Sequence, residues 1–283
     1  MAAITLENVS YVYSAGTPYE IKALDDVSVN IKSGIITGII GHTGSGKSTF
    51  VQLLNGLEKA SEGRVLIDGK DIWENPKEIS RIRFKVGLVM QYPEYQLFEE
   101  TIREDIAFGP KNMGLDEEEI KERVALAAKF VGLDESLLDK SPFDLSGGQK
   151  RRAAIAGIIA MKPEILVLDE PAAGLDPMGR DDILESIVKY KNETGATVII
   201  VSHSMEDMAR FCDELVVMAH AKVVMHGNCK EIFSKAELLE EIGLSIPAIT
   251  RLMITLKEKG VNVDSGIYTV NDAIKEIAKI LER

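Results

Sequence analysis

The sequence predicts an α/β fold: a mixed sheet with an antiparallel β subdomain, an inserted helical subdomain, and a small, mainly helical C-terminal accessory domain. Three observations predict it. Residues 36–49, I-T-G-I-I-G-H-T-G-S-G-K-S-T, are an apolar β-run that breaks into a glycine-rich loop and opens a helix. Short apolar runs at 86–90, 165–168 and 197–201 have the length and composition of buried parallel strands. Residues 92–161 carry no strand pattern but three helix-start signals.

The chain has 283 residues, 45% of them hydrophobic, enough for one large domain with a core and a small appendage. A net charge of -12 argues against nucleic acid as a partner, because holding a phosphate backbone needs clustered Lys and Arg. The basic run Lys150-Arg151-Arg152 reads as a solvated helix face. No apolar stretch reaches the roughly 18 residues that span a bilayer and no basic-then-apolar leader opens the chain, so the chain itself is expected to be soluble and cytoplasmic. Cys212 and Cys229 lack the spacing of a metal or redox pair.

Between residues 4 and 13, Val9, Tyr11 and Tyr13 alternate with period two, and Val27, Val29 and Ile31 repeat the pattern. Two half-buried antiparallel strands are therefore expected before the loop. Tyr13, leaving a strand just upstream, can stack on a purine ring or simply pack on the sheet edge. Gly41 followed by Gly46-Lys47-Ser48 has the spacing of a phosphate-binding loop, in which glycines let successive N–H groups curl round an anion. Lys47 would reach the β- and γ-phosphates, and Ser48 would offer its hydroxyl to Mg²⁺. The helix that follows, to about residue 57, would add the positive end of its dipole. The candidate nucleotide cradle is thus Gly41, His42, Thr43, Gly44, Ser45, Gly46, Lys47, Ser48 and Thr49.

Residues 63–69, G-R-V-L-I-D-G, read as a strand closed by an Asp-Gly turn, and 86–90 as a buried strand delivering polar Gln91 to its end. Thr101 with Glu104 forms a capping-box pattern; Asp116 with Glu119 opens a helix through Ile120, Val124, Ala127, Ala128 and Val131 that Gly132 can stop. In L-S-G-G-Q, Ser146 and Gln149 again have the spacing of a cap and its reciprocal partner. That helix must end before Pro163, and its N-terminus is a second anion-binding end. The runs at 165–168 and 197–201 deliver Asp169-Glu170 and Ser202-His203 to the C-terminal ends of parallel strands, where open α/β sheets bind ligands. Residues 215–218 and 223–225 read as a hairpin whose turn, 219–222, lacks the usual Gly or Asn. Two helical patterns follow, at 247–259 and from 269 to the end, the second expected to bury Ile274, Ile277, Ile280 and Leu281. The expected domains are 1–228, with the helical subdomain at about 92–162, and 229–283.

The order of motifs, phosphate loop, Gln91, L-S-G-G-Q, I-L-V-L-D-E-P, A-G-L-D-P and His203, resembles the ATP-binding-cassette ATPases over roughly the first 228 residues. The stretches G-H-T-G-S-G-K-S-T, Q-Y-P-E-Y-Q-L-F-E-E-T-I-R-E-D-I-A-F-G-P-K-N and L-S-G-G-Q-K-R-R-A-A-I-A-G are similar to the ATPases of energy-coupling factor transporters, which import vitamins and transition metals. T-P-Y-E-I-K-A-L-D-D-V-S and Thr43 resemble one of two paralogous ATPases that form a heterodimer; homodimeric cobalt and nickel importers share much of the wording. Two departures, Ala172 where Thr or Ser is common and Lys150 after the signature, remove no catalytic group.

The resemblance implies a P-loop NTPase core that hydrolyses ATP with Mg²⁺. Lys47 and the backbone of residues 44–49 would hold the phosphates, and Ser48, Gln91 and, through water, Asp169 would complete the Mg²⁺ shell. Glu170 would orient and deprotonate the attacking water, and His203 would donate to the γ-phosphate. The family pairs two ATPases head to tail, so Ser146, Gly147, Gly148 and Gln149 would contact the γ-phosphate held by the partner, and Asp176 would communicate across the seam. The implied partners are a second, paralogous ATPase, a transmembrane scaffold and a substrate-binding membrane subunit, with the chain peripheral on the cytoplasmic face of the cell membrane. Residues 92–101, acidic and aromatic, are the expected socket for the scaffold's coupling helices. The side chains of His42, His220 and His226 are read as structural. Cassette proteins of DNA repair carry a long coiled-coil insertion and those of translation carry two cassettes in one chain; neither feature is present here.

Overall fold

The computed structural model describes residues 2–281. In chain order its strands are β1 (Ala2–Tyr13), β2 (Ile21–Lys32), β3 (Ile36–Gly41), β4 (Glu62–Ile67), β5 (Lys70–Asp71), β6 (Val86–Val89), β7 (Ile165–Asp169), β8 (Thr197–Val201), β9 (Glu214–Ala219) and β10 (Lys222–Asn228). They form an antiparallel sheet ordered β2-β1-β4-β5 and a larger sheet ordered β10-β9-β3-β8-β7-β6. In the larger sheet β9, β3, β8, β7 and β6 run parallel, and only the edge strand β10 is antiparallel.

Period-two alternation divides the interior. Leu166, Leu168, Val198 and Ile200 point into a core shared with the helical subdomain. Their neighbours Ile165, Val167, Ile199 and Val201 point into a second core with Ile4, Leu24, Val29 and Ile31 from β1 and β2. Because both faces are covered, β7 and β8 are buried throughout and read as unbroken apolar runs.

The helices are α1 (Lys47–Leu54), α2 (Ile79–Lys85), α3 (Ile102–Asn112), α4 (Glu117–Phe130), α5 (Gly147–Ile159), α6 (Pro177–Thr194), α7 (Met205–Phe211), α8 (Cys229–Phe233), α9 (Ala236–Glu241), α10 (Ala248–Glu258) and α11 (Val270–Leu281). The capping boxes at Thr101/Glu104 and Ser146/Gln149 form as expected. Helix α1 stops three residues early, because Asn55 leaves helical geometry and Gly56 turns to φ +66°. The β9–β10 turn closes without Gly or Asn: His220 and Ala221 take φ of 50° and 64°. Tertiary contacts hold that conformation, with the Asp25 N–H donating to Ala221 O at 2.8 Å and Lys222 paired to Asp25 at 3.1 Å.

Two expectations are corrected by packing. Ile274 is 60% exposed, since the inward line of α11 runs through Ala273, Ile277 and Ile280, one residue out of phase with it; the side chain of Leu281 lies outside the described residues. Near residue 229, Cys229, Ile232, Phe233, Leu239, Leu244 and Ile246 share the apolar cluster of β7, β8 and α5, while among the described residues Met253, Val263 and Ala273 form a separate one. Finally, the basic run is not a solvated face. Arg151 is 2% exposed, because it shares the inner face of α5 with Ile155 and Ile159 at four-residue spacing.

Candidate nucleotide site

The site lies at the C-terminal edge of the parallel sheet. Strand β3 ends at Gly41, and the loop that follows is shaped by glycines for two different reasons. A Cβ at Gly41 would fall 2.4 Å from Met218 O and 2.5 Å from Ser45 Oγ, and one at Gly46 would fall 2.3 Å from Ala23 O. Gly44 and Gly46 also take φ of 81° and 100°. The loop thus lies tight on β2 and β9, closed on itself by the Ser45 N–H donating to His42 O at 3.1 Å, in the curled form that turns backbone amides toward an anion. Inside it, Lys47 Nζ donates to Gly41 O at 2.8 Å and His42 O at 3.0 Å. Burial lowers the Lys47 pKa, while Glu170 and Asp169 oppose the shift. Ser45 Oγ is buried without a partner. A tightly curled backbone, a buried ammonium and an orphan hydroxyl are the features a polyphosphate would satisfy.

Asp169 ends β7 and Glu170 follows at φ 51°, its N–H donating to Val201 O at 3.0 Å. Burial raises the Asp169 pKa against the pull of Ser48, Lys47 and His203. Burial, with the neighbouring Asp169 charge adding to it, pushes Glu170 up to about 7. His203, delivered by the end of β8, sets Nε2 3.3 Å from Glu170 Oε1, close enough for an ion pair but not aligned as a hydrogen bond, so this oxygen has no donor. Burial and Lys47 lower the His203 pKa, favouring a neutral ring. A carboxylate titrating near 7 beside a neutral imidazole suits a general base for water.

The remaining expected residues divide into three groups. Thr43 and Gly44 are exposed in the loop and Ser48 in the first turn of α1; Thr49 is buried, and its hydroxyl lies 3.1 Å from the hydroxyl of Tyr13, which stands on the rim edge-to-face with Tyr11. Gln91 is exposed just beyond β6, on the same sheet edge as Asp169. In the third group Ser146 and Gln149 cap one another's backbone at 3.4 and 2.9 Å, Gly147 and Asp176 are exposed, and Gly148 is partly so. His42 bonds through Nδ1 to Thr43 O at 2.8 Å and packs 5.5 Å from His220, and His226 faces Glu214 at 3.5 Å.

The sequence matches the family of ABC transporters over residues 24–173. It is 54% identical to the energy-coupling factor transporter ATP-binding protein EcfA2 of Clostridium acetobutylicum, over 99% of this chain and 98% of that one. The EcfA2 protein of Clostridium tetani is also 54% identical, over 98% and 97%. The chain belongs to the ATP-binding proteins of energy-coupling factor transporters. Among solved structures, CbiO1 from Clostridium perfringens, part of the ABC transporter complex cbiONQ, superposes with a TM-score of 0.76 at 42% identity, covering 89% of this chain and 99% of that one. The cassette MJ0796, in a dimeric post-hydrolysis state bound to ADP and Pi, gives a TM-score of 0.72 at 32% identity, covering 80% and 98%.

In this energy-coupling factor ATPase, sequence reasoning missed two junctions that brace the site. Arg151 donates to both carboxylate oxygens of Glu94 at 3.0 and 2.6 Å and to Ala173 O, so one buried guanidinium joins α5 to the segment after Gln91 and to the segment after Glu170. Arg180 on α6 grips Asp207 on α7. Neither partner pair is close in sequence, and no local pattern marks them.

Proposed function

We propose that this ATPase works as half of a head-to-tail pair whose closure on ATP, and reopening after hydrolysis, powers uptake of a vitamin or transition-metal micronutrient. The observation that carries the reading is the split of the site. Lys47, Asp169, Glu170 and His203 converge on one edge, while Ser146, Gly147 and Asp176 are exposed and Gly148 and Gln149 partly so, available to ATP held by another cassette. Ser48, Gln91 and Asp169 supply the oxygen donors that a hard cation takes, and the poorly solvated Asp169 carboxyl gains from a divalent charge beside it. Mg²⁺ there would neutralise phosphate charge. Lys47 then moves from the Gly41 and His42 carbonyls to phosphate oxygen, Glu170 takes the proton of the attacking water, and His203 donates to the γ-phosphate. Tyr13 covers the base.

Among the described residues no helix is long and apolar enough to cross a membrane. Membrane placement therefore comes through partners: a second, paralogous ATPase, a transmembrane scaffold and a substrate-binding membrane subunit. The docking surface for the scaffold is a groove of about 390 Å³ between α2 and the helical subdomain, lined by Phe84, Leu97, Phe98, Phe108 and Asp105. Only residues 96–98 of the expected 92–101 socket line it; the rest of the lining comes mainly from α2, α3 and α5. Phe98 is 64% exposed, and Asp105 Oδ2 is buried without a donor, its pKa raised by burial. An apolar helix carrying a basic side chain fits both features.

Phe98→Asp is expected to weaken capture of the co-expressed scaffold about thirtyfold, the effect of losing one interfacial aromatic anchor of about 2 kcal/mol. ATP binding by the isolated chain should stay unchanged. Undiminished co-purification would remove the groove from the coupling path. For the pairing, native mass spectrometry of the purified transporter is expected to give one copy of this chain with one second ATPase. Two copies of this chain in an active complex would instead establish the homodimeric importer.

A further inference from the structure

Helices α6 and α7 each begin beside a residue to which the proposed function gives a nucleotide, Asp176 and His203. Helix α6 begins at Asp176, whose carboxylate accepts from the Gly179 N–H at 2.7 Å, and the Arg180 N–H donates to Asp176 O at 2.9 Å. Arg180 is thus locked one turn from Asp176. Helix α7 begins just after His203, where Ser204 Oγ accepts from the Asp207 N–H at 3.2 Å and the Ser204 N–H donates to Ser202 Oγ at 3.1 Å. Asp207 is in turn locked one turn from His203.

Between the two turns stands one contact. Arg180 Nε donates to Asp207 Oδ1 at 3.0 Å and Oδ2 at 2.8 Å, and Nη2 donates to Oδ2 at 2.6 Å. Asp207 is buried, and a forked pair of this kind fixes orientation as well as distance. Arg180 and Asp207 also flank a cavity of about 220 Å³ whose other walls include Glu170, Gly174 and His203, so the contact borders the catalytic edge directly. A second pair of contacts, Arg210 to Asp181 and Glu185 at 2.8 Å each, pins the same two helices from the solvent side, where screening makes such bridges weak.

We propose that Arg180 and Asp207 are positioning residues that tie the loop ending at Asp176 to His203, so that seating of the partner ATPase on Asp176 sets the histidine for hydrolysis of this chain's own ATP. The proposal rests on the reading of Asp176 as partner-facing. A rigid link is the physical requirement: each end lies within one helical turn of its functional residue, and the two ends meet through three hydrogen bonds, so neither loop can shift without the other.

The test uses the assembled transporter. Arg180→Met is expected to lower kcat about ten- to a hundredfold with KM for ATP changed less than about threefold, the scale of a small misplacement at a reacting centre. The charge-swapped pair Arg180→Asp with Asp207→Arg should recover most of the rate, which a loss of bulk packing would not predict. Asp207→Asn, nearly isosteric, should reproduce the kcat loss if Arg180→Met folds poorly. In the Arg180→Met background Asp176→Ala should add little, whereas in the Arg210→Met background its effect should add fully. Wild-type kcat in both Arg180→Met and Asp207→Asn would overturn the proposal, as would an additive Arg180/Asp176 cycle. If Asp176→Ala alone leaves the rate unchanged, the partner-facing reading of Asp176 falls, and the proposal with it.

Discussion

Glu170→Gln is expected to keep ATP binding while hydrolysis in the assembled transporter falls about a hundred- to ten-thousandfold, the worth of a positioned general base. Glutamine keeps the shape and the backbone link to Val201 but cannot take a proton. ATP-closed pairs should therefore accumulate, visible as a stable complex on size exclusion with ATP and Mg²⁺. Hydrolysis at the wild-type rate would show that Glu170 is not the base. The same substitution has a second signature in the nucleotide-free chain in EDTA. Glu170 titrates at about 7 when folded against 4.5 in the unfolded reference, so the folded state holds its proton more tightly. Wild-type stability consequently falls as pH rises from about 4.5 to 7 and stays lowered above that, by up to about 3 kcal/mol. A neutral Gln has no such fall. Glu170→Gln should thus melt several degrees above wild type at pH 8 and show no gain at pH 4.5. Equal melting temperatures at pH 8 would mean that the carboxylate is not strained by burial.

Arg151→Ala is expected to cost about 3–5 kcal/mol of unfolding free energy, the range for breaking a buried ion pair from one side. Removing this guanidinium, 2% exposed, strands the Glu94 carboxylate in a low-dielectric junction and leaves the Ala173 carbonyl without its donor. Urea unfolding should show a lower midpoint with an unchanged slope. The double change Arg151→Met with Glu94→Leu should recover most of the loss, because replacing both charges by apolar groups leaves nothing uncompensated. A single variant as stable as wild type would show that the junction holds little. The ring of Tyr92, 5.8 Å from the Arg151 guanidinium, should lose its order in the Arg151→Ala protein, which tyrosine fluorescence can follow.

Chemistry carried by contiguous residues was readable before any fold was known. The phosphate loop announces itself because curling backbone round an anion needs glycines at fixed offsets, and Gly41 and Gly46 prove to have no room for a Cβ. Asp169 and Glu170 follow an apolar run that can only be a buried strand, and the caps at Thr101 and Ser146 depend on residues three apart. These are local or period-two rules, so the string contains them whole.

Relations between distant segments belonged to the tertiary structure. The inward turn of Arg151 depends on which face of α5 meets the core, and a K-R-R run looks the same whether it faces water or Glu94. The exposure of Ile274 rests on a phase difference of one residue that the apolar pattern of α11 does not resolve. The left-handed pair His220 and Ala221 is held by Asp25, nearly two hundred positions earlier in the chain. The Arg180–Asp207 grip joins helices separated by a whole strand. What the sequence determined by itself was the set of candidate reacting groups, because the spacing of the motifs that carry them is dictated by backbone geometry. What only the fold decided was which charges are buried against which, because burial is a property of surfaces brought together from far along the chain.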